Sequence, residues 1–440
     1  MDNNISKKSS LLERLFHLSE KGTNVKREIV AGMTTFMTMS YILMVIPQTL
    51  SKTGMPTGAV FTAAALGAIV GTLAAAFFAN MPIAMASGLG LSSYFTYTVV
   101  ITYGVSWQTA LTAVFMEGII FIIMTATNIR EAIVNAVPLT LRHALSAGVG
   151  LFIAFIGFNS VGIVVQGEGT PLALGKITSP EAVITIVGIL IIGHLFNKGK
   201  NWAMLGGIVV CTVIALILGI TKLPVSPVSI PDSISPIFFK MDFKNMFTGE
   251  MMVVLLTFLF VDLFDTLGTL VGVAEKADLV KEDGKIEGIK GALFADAVGT
   301  TAGAVFGVST VGTYVESSAG VAAGGRTGLT ALSTAACFVV ALLFGPLFLM
   351  VPSAATAPVL VLVGVMMMEP VKQINFRDFT EAIPAFLTVI IMPLAYSIAD
   401  GVMAGTISYV ALKLMAGRRK ECSITLIILA LLFILKYIFM

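Results

Sequence analysis

The sequence predicts an all-α polytopic membrane protein built as two inverted repeats of seven spans. Three observations predict it. Of 440 residues, 57% are hydrophobic and only 12% are charged, far from the balance of a soluble globular chain. Apolar runs long enough to cross about 30 Å of hydrocarbon as a helix recur from end to end, and the short alternating segments of a barrel are absent. Segments of the first half also recur, in the same order, in the second.

Residues 1–27 are polar, lack the apolar stretch of a signal peptide and read as a cytoplasmic segment. Within it Leu11–Leu18 has an amphipathic pattern, and it is read either as lying on the inner membrane surface or as a solvated tail. Charged residues and Pro/Gly breaks then delimit seven spans, at 28–50, 58–80, 83–100, 107–128, 138–165, 181–196 and 202–221. The Pro/Ser-rich stretch PVSPVSIPDSISP opens an exoplasmic linker, residues 222–249. Seven more spans follow, at 250–273, 290–308, 310–323, 327–349, 352–369, 380–398 and 400–416. A basic loop and an extra apolar helix, residues 417–440, have no counterpart in the first half.

The repeat rests on four ordered matches. GAVFTAAALG from Gly58 matches GALFADAVGT from Gly291, and QTALTAV from Gln108 matches RTGLTAL from Arg326. Val137–Pro138 matches Val351–Pro352, and EAVITIVGILII from Glu181 matches EAIPAFLTVIIM from Glu381. A unit with an odd number of spans inserts upside down relative to its twin, hence the inverted topology. Loop charge supports a cytoplasmic N-terminus. Lys7, Lys8, Arg14, Arg130, Lys198, Lys281, Lys285 and Arg418 fall on one side, whereas the other side holds little beyond Lys52, Lys176, Lys222, Lys240 and Lys244.

Some functions are excluded. A net charge of +2 without a basic block gives nucleic acid no purchase. Cys211, Cys337 and Cys422, like His17, His143 and His194, are scattered, so neither a disulfide framework nor a metal set is indicated, and no cofactor is expected.

Chemistry is expected where acid stands in place of lipid-facing residues. An intramembrane carboxylate costs about 2.5 to 3.5 kcal/mol even on lenient scales, so Asp262, Asp265 and Glu316 need partners, protons or cargo. Asp262 and Asp265 are three residues apart and face one side of a helix. Two such neighbours do not both ionise readily, which suits proton coupling. Asp296, in the ninth span, is expected either to support the site or to contact cargo directly, and Glu117 either to bond a neighbouring helix or to relay protons. His194 and Lys413 sit near cytoplasmic helix ends and are expected to snorkel. The third and tenth spans, MPIAMASGLGLSSYF and GVSTVGTYVESSAGVAAGG, are short and rich in Gly and Ser, the pattern of interrupted helices that frame a binding site. There Gly88, Gly90 and Gly312 allow backbone to approach cargo, and Tyr94 and Phe95 either stack on a planar base or pack in the core.

FVDLFDTLGTLVGVAEKADL, TYVESSAGVAAGGRTGLTAL and FTEAIPAFLTVIIMPLAYSIADG resemble the AzgA-like purine permeases, proton-coupled carriers in the nucleobase/cation symporter group; the resemblance covers nearly all of Arg27 to Met440. It implies a core domain of spans 1–4 and 8–11, a gate domain of spans 5–7 and 12–14, and cargo held between the third, tenth and eighth spans. It also implies that Asp262 and Glu316 bind substrate and that Asp265 couples protons. Where the family carries an Asn expected to touch the purine, this chain has Ser92, which offers one donor in place of two and so bears on substrate choice.

The expectation is a plasma-membrane importer of purine nucleobases by proton symport, with Asp262, Glu316, Ser92, Gly90 and Phe95 at the substrate and Asp265 and Asp296 at the proton. Its partners are the base, the proton and the lipid bilayer, with a homodimer as a candidate assembly. Two rivals are weighed. An anion transporter or channel on a related scaffold conflicts with fixed negative charge. A membrane enzyme lacks a nucleophile–base set.

Overall fold

The computed structural model describes residues 11–127, 137–167, 169–279 and 286–439. Lys7, Lys8, Arg130, Lys281 and Lys285, which entered the charge argument, lie outside the described residues.

Eight helical stretches among the described residues are long and apolar enough to cross a bilayer, and shorter apolar helices accompany them. In chain order the helices begin with α1 (Leu11–Phe16), α2 (Val25–Met39), α3 (Ile42–Leu50), α4 (Thr57–Ala74) and, after strand β1 (Met85–Ser87), α5 (Leu89–Ser93) and α6 (Trp107–Ala126). Next come α7 (Leu139–Ser160), the small hairpin β2 (Val164–Val165) and β3 (Ala173–Leu174), α8 (Pro180–Asn197) and α9 (Ala203–Ile217). The second half holds α10 (Gly249–Lys276), α11 (Ile289–Phe306), strand β4 (Val311–Thr313), α12 (Ser317–Ala322), α13 (Gly328–Leu342), α14 (Gly345–Leu349), α15 (Ser353–Met367), α16 (Phe379–Leu394), α17 (Ile398–Met415) and α18 (Ile424–Phe439).

Helix starts are fixed by polar caps. Asn24, Ser106, Ser179 and Ser397 each accept a backbone N–H of the first turn they precede. The start of α13 is inside the protein and is served by another helix: buried Glu28 of α2 accepts the backbone N–H groups of Arg326, Thr327 and Thr330. A carboxylate there satisfies orphan donors and meets the positive end of the helix dipole.

The helices pack in two groups. In one, α11 lies on α4 and α6, α13 on α2 and α4, and α10 on α6 and α12. In the other, α15 and α16 lie on α7, α8 and α9 on each other and on α15, and α17 on α16. Small residues set the closeness of the first group: Gly67 and Gly71 of α4 meet Gly299 and Gly303 of α11, where a methyl on Gly299 would sit 3.1 Å from the Gly71 Cα. The C-terminal helix α18 packs on α17. Its buried face, Leu426, Leu429 and Phe433, lines an apolar crevice with Phe260 and Phe264 of α10.

The expected all-α chain thus carries four short strands among the described residues. Two of them lie in the Gly/Ser-rich segments predicted to be interrupted.

Candidate functional site

β1 and β4 pair antiparallel, Met85 with Thr313, Ala86 with Gly312 and Ser87 with Val311. The ladder extends at both ends, where Gly88 N–H donates to the Thr310 carbonyl at 2.9 Å and Tyr314 N–H to that of Ala84 at 3.1 Å. Backbone polar groups in a buried, non-helical stretch must all be paired, and threonines complete the pairing. The Thr72 hydroxyl accepts from Met85 N–H at 2.9 Å and donates to its carbonyl at 3.0 Å. Thr300 does the same for Val311, at 3.2 and 3.1 Å. The first residue of each strand is therefore clasped by a hydroxyl from the helix before it. Tyr314 adds a bond from its hydroxyl to the Ser87 carbonyl at 2.5 Å.

Acids gather on this ribbon. Asp262 of α10 and Asp296 of α11 are 1% and 0% exposed. Both lie beside Thr266, whose hydroxyl is 2.9 Å from Asp296 Oδ1 and 3.3 Å from Asp262 Oδ1. All three converge on Gly312 of β4, where an added Cβ would meet Asp262 Oδ1 at 3.1 Å and the Thr266 hydroxyl at 3.2 Å. A side chain there would make these groups give way by a few tenths of an ångström. Glu316 stands at the N-cap position of α12 and is buried, its side chain turned from the helix end to accept from the Tyr41 hydroxyl at 2.6 Å. Asp265, near the midpoint of α10, is half-buried. Asp265, Asp296 and Glu316 are close enough to interact electrostatically. Glu117 of α6 reaches the same ribbon, accepting the Thr310 hydroxyl at 2.7 Å.

The remaining predicted residues sit behind this cluster. Ser92 is fully buried, and its hydroxyl closes a triangle with Ser309 at 2.6 Å and Ser87 at 3.1 Å, with Ser87 and Ser309 also 3.1 Å apart. Three hydroxyls in a ring satisfy one another, so Ser92 is engaged internally. Phe95 is fully buried, and Tyr94 meets Phe258 edge-on with centroids 5.2 Å apart. Gly90 faces the second helix group, with Val149 Cγ1 2.6 Å from where its Cβ would be.

Thr266, Tyr41 and Ser309 escaped the sequence reading. A Thr one turn after Asp262, on the same helix face, was the available signal for the first. Lys413 was expected to snorkel but is fully buried, 3.1 Å from Glu381 Oε1 and 2.5 Å from Glu421 Oε2. At the adjoining surface Asp378 bonds Thr380 and Arg418, and these bonds hold its carboxyl well below the usual range. The Lys413 ammonium lowers Glu421 in the same way.

A family profile named Xan_ur_permease and described as a permease family matches residues 26–404. The chain is 38% identical to the adenine permease AdeQ of Escherichia coli over 434 residues, 99% of this chain and 98% of that one. It is 41% identical to the guanine/hypoxanthine permease PbuO of Bacillus subtilis, over 96% of this chain and 99% of that one. In fold it is similar to the transmembrane domain of a cyanobacterial bicarbonate transporter, BicA, with a TM-score of 0.63, 16% identity, and coverage of 86% and 97%. That likeness gives a seven-plus-seven inverted-repeat architecture. The AzgA-like assignment drawn from three motifs is corrected by the profile and by these relatives. An acid-bearing helix beside two interrupted segments is what holding a polar solute on this scaffold demands, so such motifs mark the scaffold and do not separate sister families. With the profile spanning most of the sequence and relatives aligned end to end, this multi-pass membrane protein belongs to the Xan_ur_permease family of permeases.

Proposed function

We propose that the protein imports purine nucleobases, meaning hypoxanthine, guanine or adenine, across the plasma membrane by proton symport with alternating access. The observation that carries this is the convergence of Asp262, Thr266 and Asp296 on Gly312, with Glu316 buried just beyond the end of β4. Carboxylates accept and do not donate, which matches the N–H groups of a purine ring and repels an anion. The names of the adenine and guanine/hypoxanthine permeases aligned with the whole chain support the same substrate class.

In this reading Asp262 and Glu316 accept hydrogen bonds from the base. Asp265 takes the coupling proton, and Asp296 shares it through the polar cluster. Gly90 lets the interrupted segment approach Val149 of the second helix group closely, and Ser92 and Phe95 shape the site from behind. The first group, spans 1–4 and 8–11, serves as core and the second, spans 5–7 and 12–14, as gate. The chain then crosses the membrane fourteen times, as repeats at 28–221 and 250–416 with an exoplasmic linker at 222–249 and a cytoplasmic N-terminus.

Purified protein in liposomes should take up labelled purine faster under an inward proton gradient. Uptake indifferent to a protonophore removes the proton, and uptake of none of the three bases removes the substrate.

A further inference from the structure

The two helix groups touch at several places, and at one end of α16 and α17 their contacts centre on one residue. Tyr396 lies in the short link between α16 and α17, in the left-handed region at φ +54°. Such a conformation is strained for a residue with a bulky side chain and persists only where surrounding contacts hold it. From its own group Tyr396 is held by Phe152 and Phe155 of α7, with ring centroids 5.7 and 5.3 Å away. From the other group it is held by the segment after α5. The Thr98 hydroxyl donates to its carbonyl at 2.6 Å, and the Tyr97 ring meets its ring at 5.8 Å and 68°. Tyr97 is itself pinned, since Lys52 donates to its hydroxyl at 2.7 Å and lies 5.0 Å from its ring centroid. Thr98 is fully buried by this arrangement.

The packing inside the first helix group is built differently, from glycine-tight crossings such as Gly71 on Gly299. The seam at Tyr396 consists of the Thr98 bond, a long contact between the Tyr103 and Ser397 hydroxyls at 3.5 Å, a few ring edges and a strained link. These can part as a unit when the link relaxes. We propose that Tyr396, clasped by Thr98 and Tyr97, is the gate that shuts this end of the solute path, and that its release admits solute to the acids from that side. The inference rests on the alternating-access reading above, but it names a residue and a closed end that the reading does not supply.

The test uses the full-length chain with Cys211, Cys337 and Cys422 replaced by Ala, and with Thr98→Cys and Tyr396→Cys introduced. A short bifunctional thiosulfonate should cross-link the pair and abolish uptake of labelled purine, and a reductant should restore it. Failure to cross-link, or uptake undiminished by a verified cross-link, overturns the gate. A second readout needs no transported base. Thr98→Cys alone, treated with a membrane-impermeant maleimide, should be labelled several-fold faster when Tyr396→Ala is added. Tyr396→Phe, which keeps the ring, should leave the rate unchanged. Equal labelling in the Ala and parent backgrounds, or a rise as large with Phe as with Ala, overturns the gate. A protein that carries no purine yet shows the labelling difference loses its substrate and keeps its gate.

Discussion

Thr266 has one proton to donate and two carboxylates within reach, at 2.9 and 3.3 Å. At any moment it serves Asp296 or Asp262, so the two acids are linked through a single donor, and a change at one is felt at the other. Removing that donor with little change of shape, as Thr266→Val does, leaves a buried acceptor short by a bond worth about 1 to 3 kcal/mol. We expect uptake to fall roughly 5- to 150-fold by the same measure, with a displaced dependence on external pH; an unaltered pH profile counts against the link. The acids themselves were legible in the sequence because charge inside an apolar run is expensive and conspicuous. Thr266 was not, since a threonine in an apolar helix ordinarily bonds its own backbone, as Thr257 does to the Val253 carbonyl. Ser92 shows the opposite failure. Its position was legible but its partner was not, because Ser309 comes from the other half of the chain.

At the scale of elements, the ribbon of β1 and β4 is held by its neighbours more than by its own length of three residues a strand. Val311 lies within van der Waals reach of all four crossing glycines, nearest the site of a Gly303 Cβ at 2.7 Å. A leucine at Gly303 would thus displace both the partner helix and the strand. We expect Gly303→Leu to lose about 1 to 3 kcal/mol of stability or more, read as a lower melting temperature in detergent together with lost binding. The interruptions were readable from Gly and Ser content, because those residues weaken a helix. Strand pairing was not, because runs this short carry no alternation long enough to detect and their register is fixed by a distant partner.

For the whole molecule, one polar cluster ties the end of α17 and the approach to α18 onto the start of α16. Lys413 bonds Glu381 and Glu421, and Arg418 bonds Asp378. Folding depresses the Asp378 carboxyl, so its stabilisation is fully present above the ordinary carboxylate range near 3.9 and is lost as pH falls from there toward its lowered value. Asp378→Asn should therefore melt below the parent protein at neutral pH, and the gap should narrow only under strongly acid conditions. A gap independent of pH rules the mechanism out. The all-helical multi-pass class and the apolar helix Ile424–Phe439 were legible, since hydropathy governs which segments leave water. The burial of Lys413 was not, because the acids that neutralise it, Glu381 and Glu421, lie outside its own helix.

The ribbon also bears on how the protein is made. Met85 to Ser87 emerge early in synthesis, whereas their mates, Val311 to Thr313, are translated only after the entire linker and two further helices. Until then a run of peptide groups has no complement and cannot rest in oil. The nascent first half must keep that stretch wet, or shielded by insertion machinery, until the second half supplies its mate.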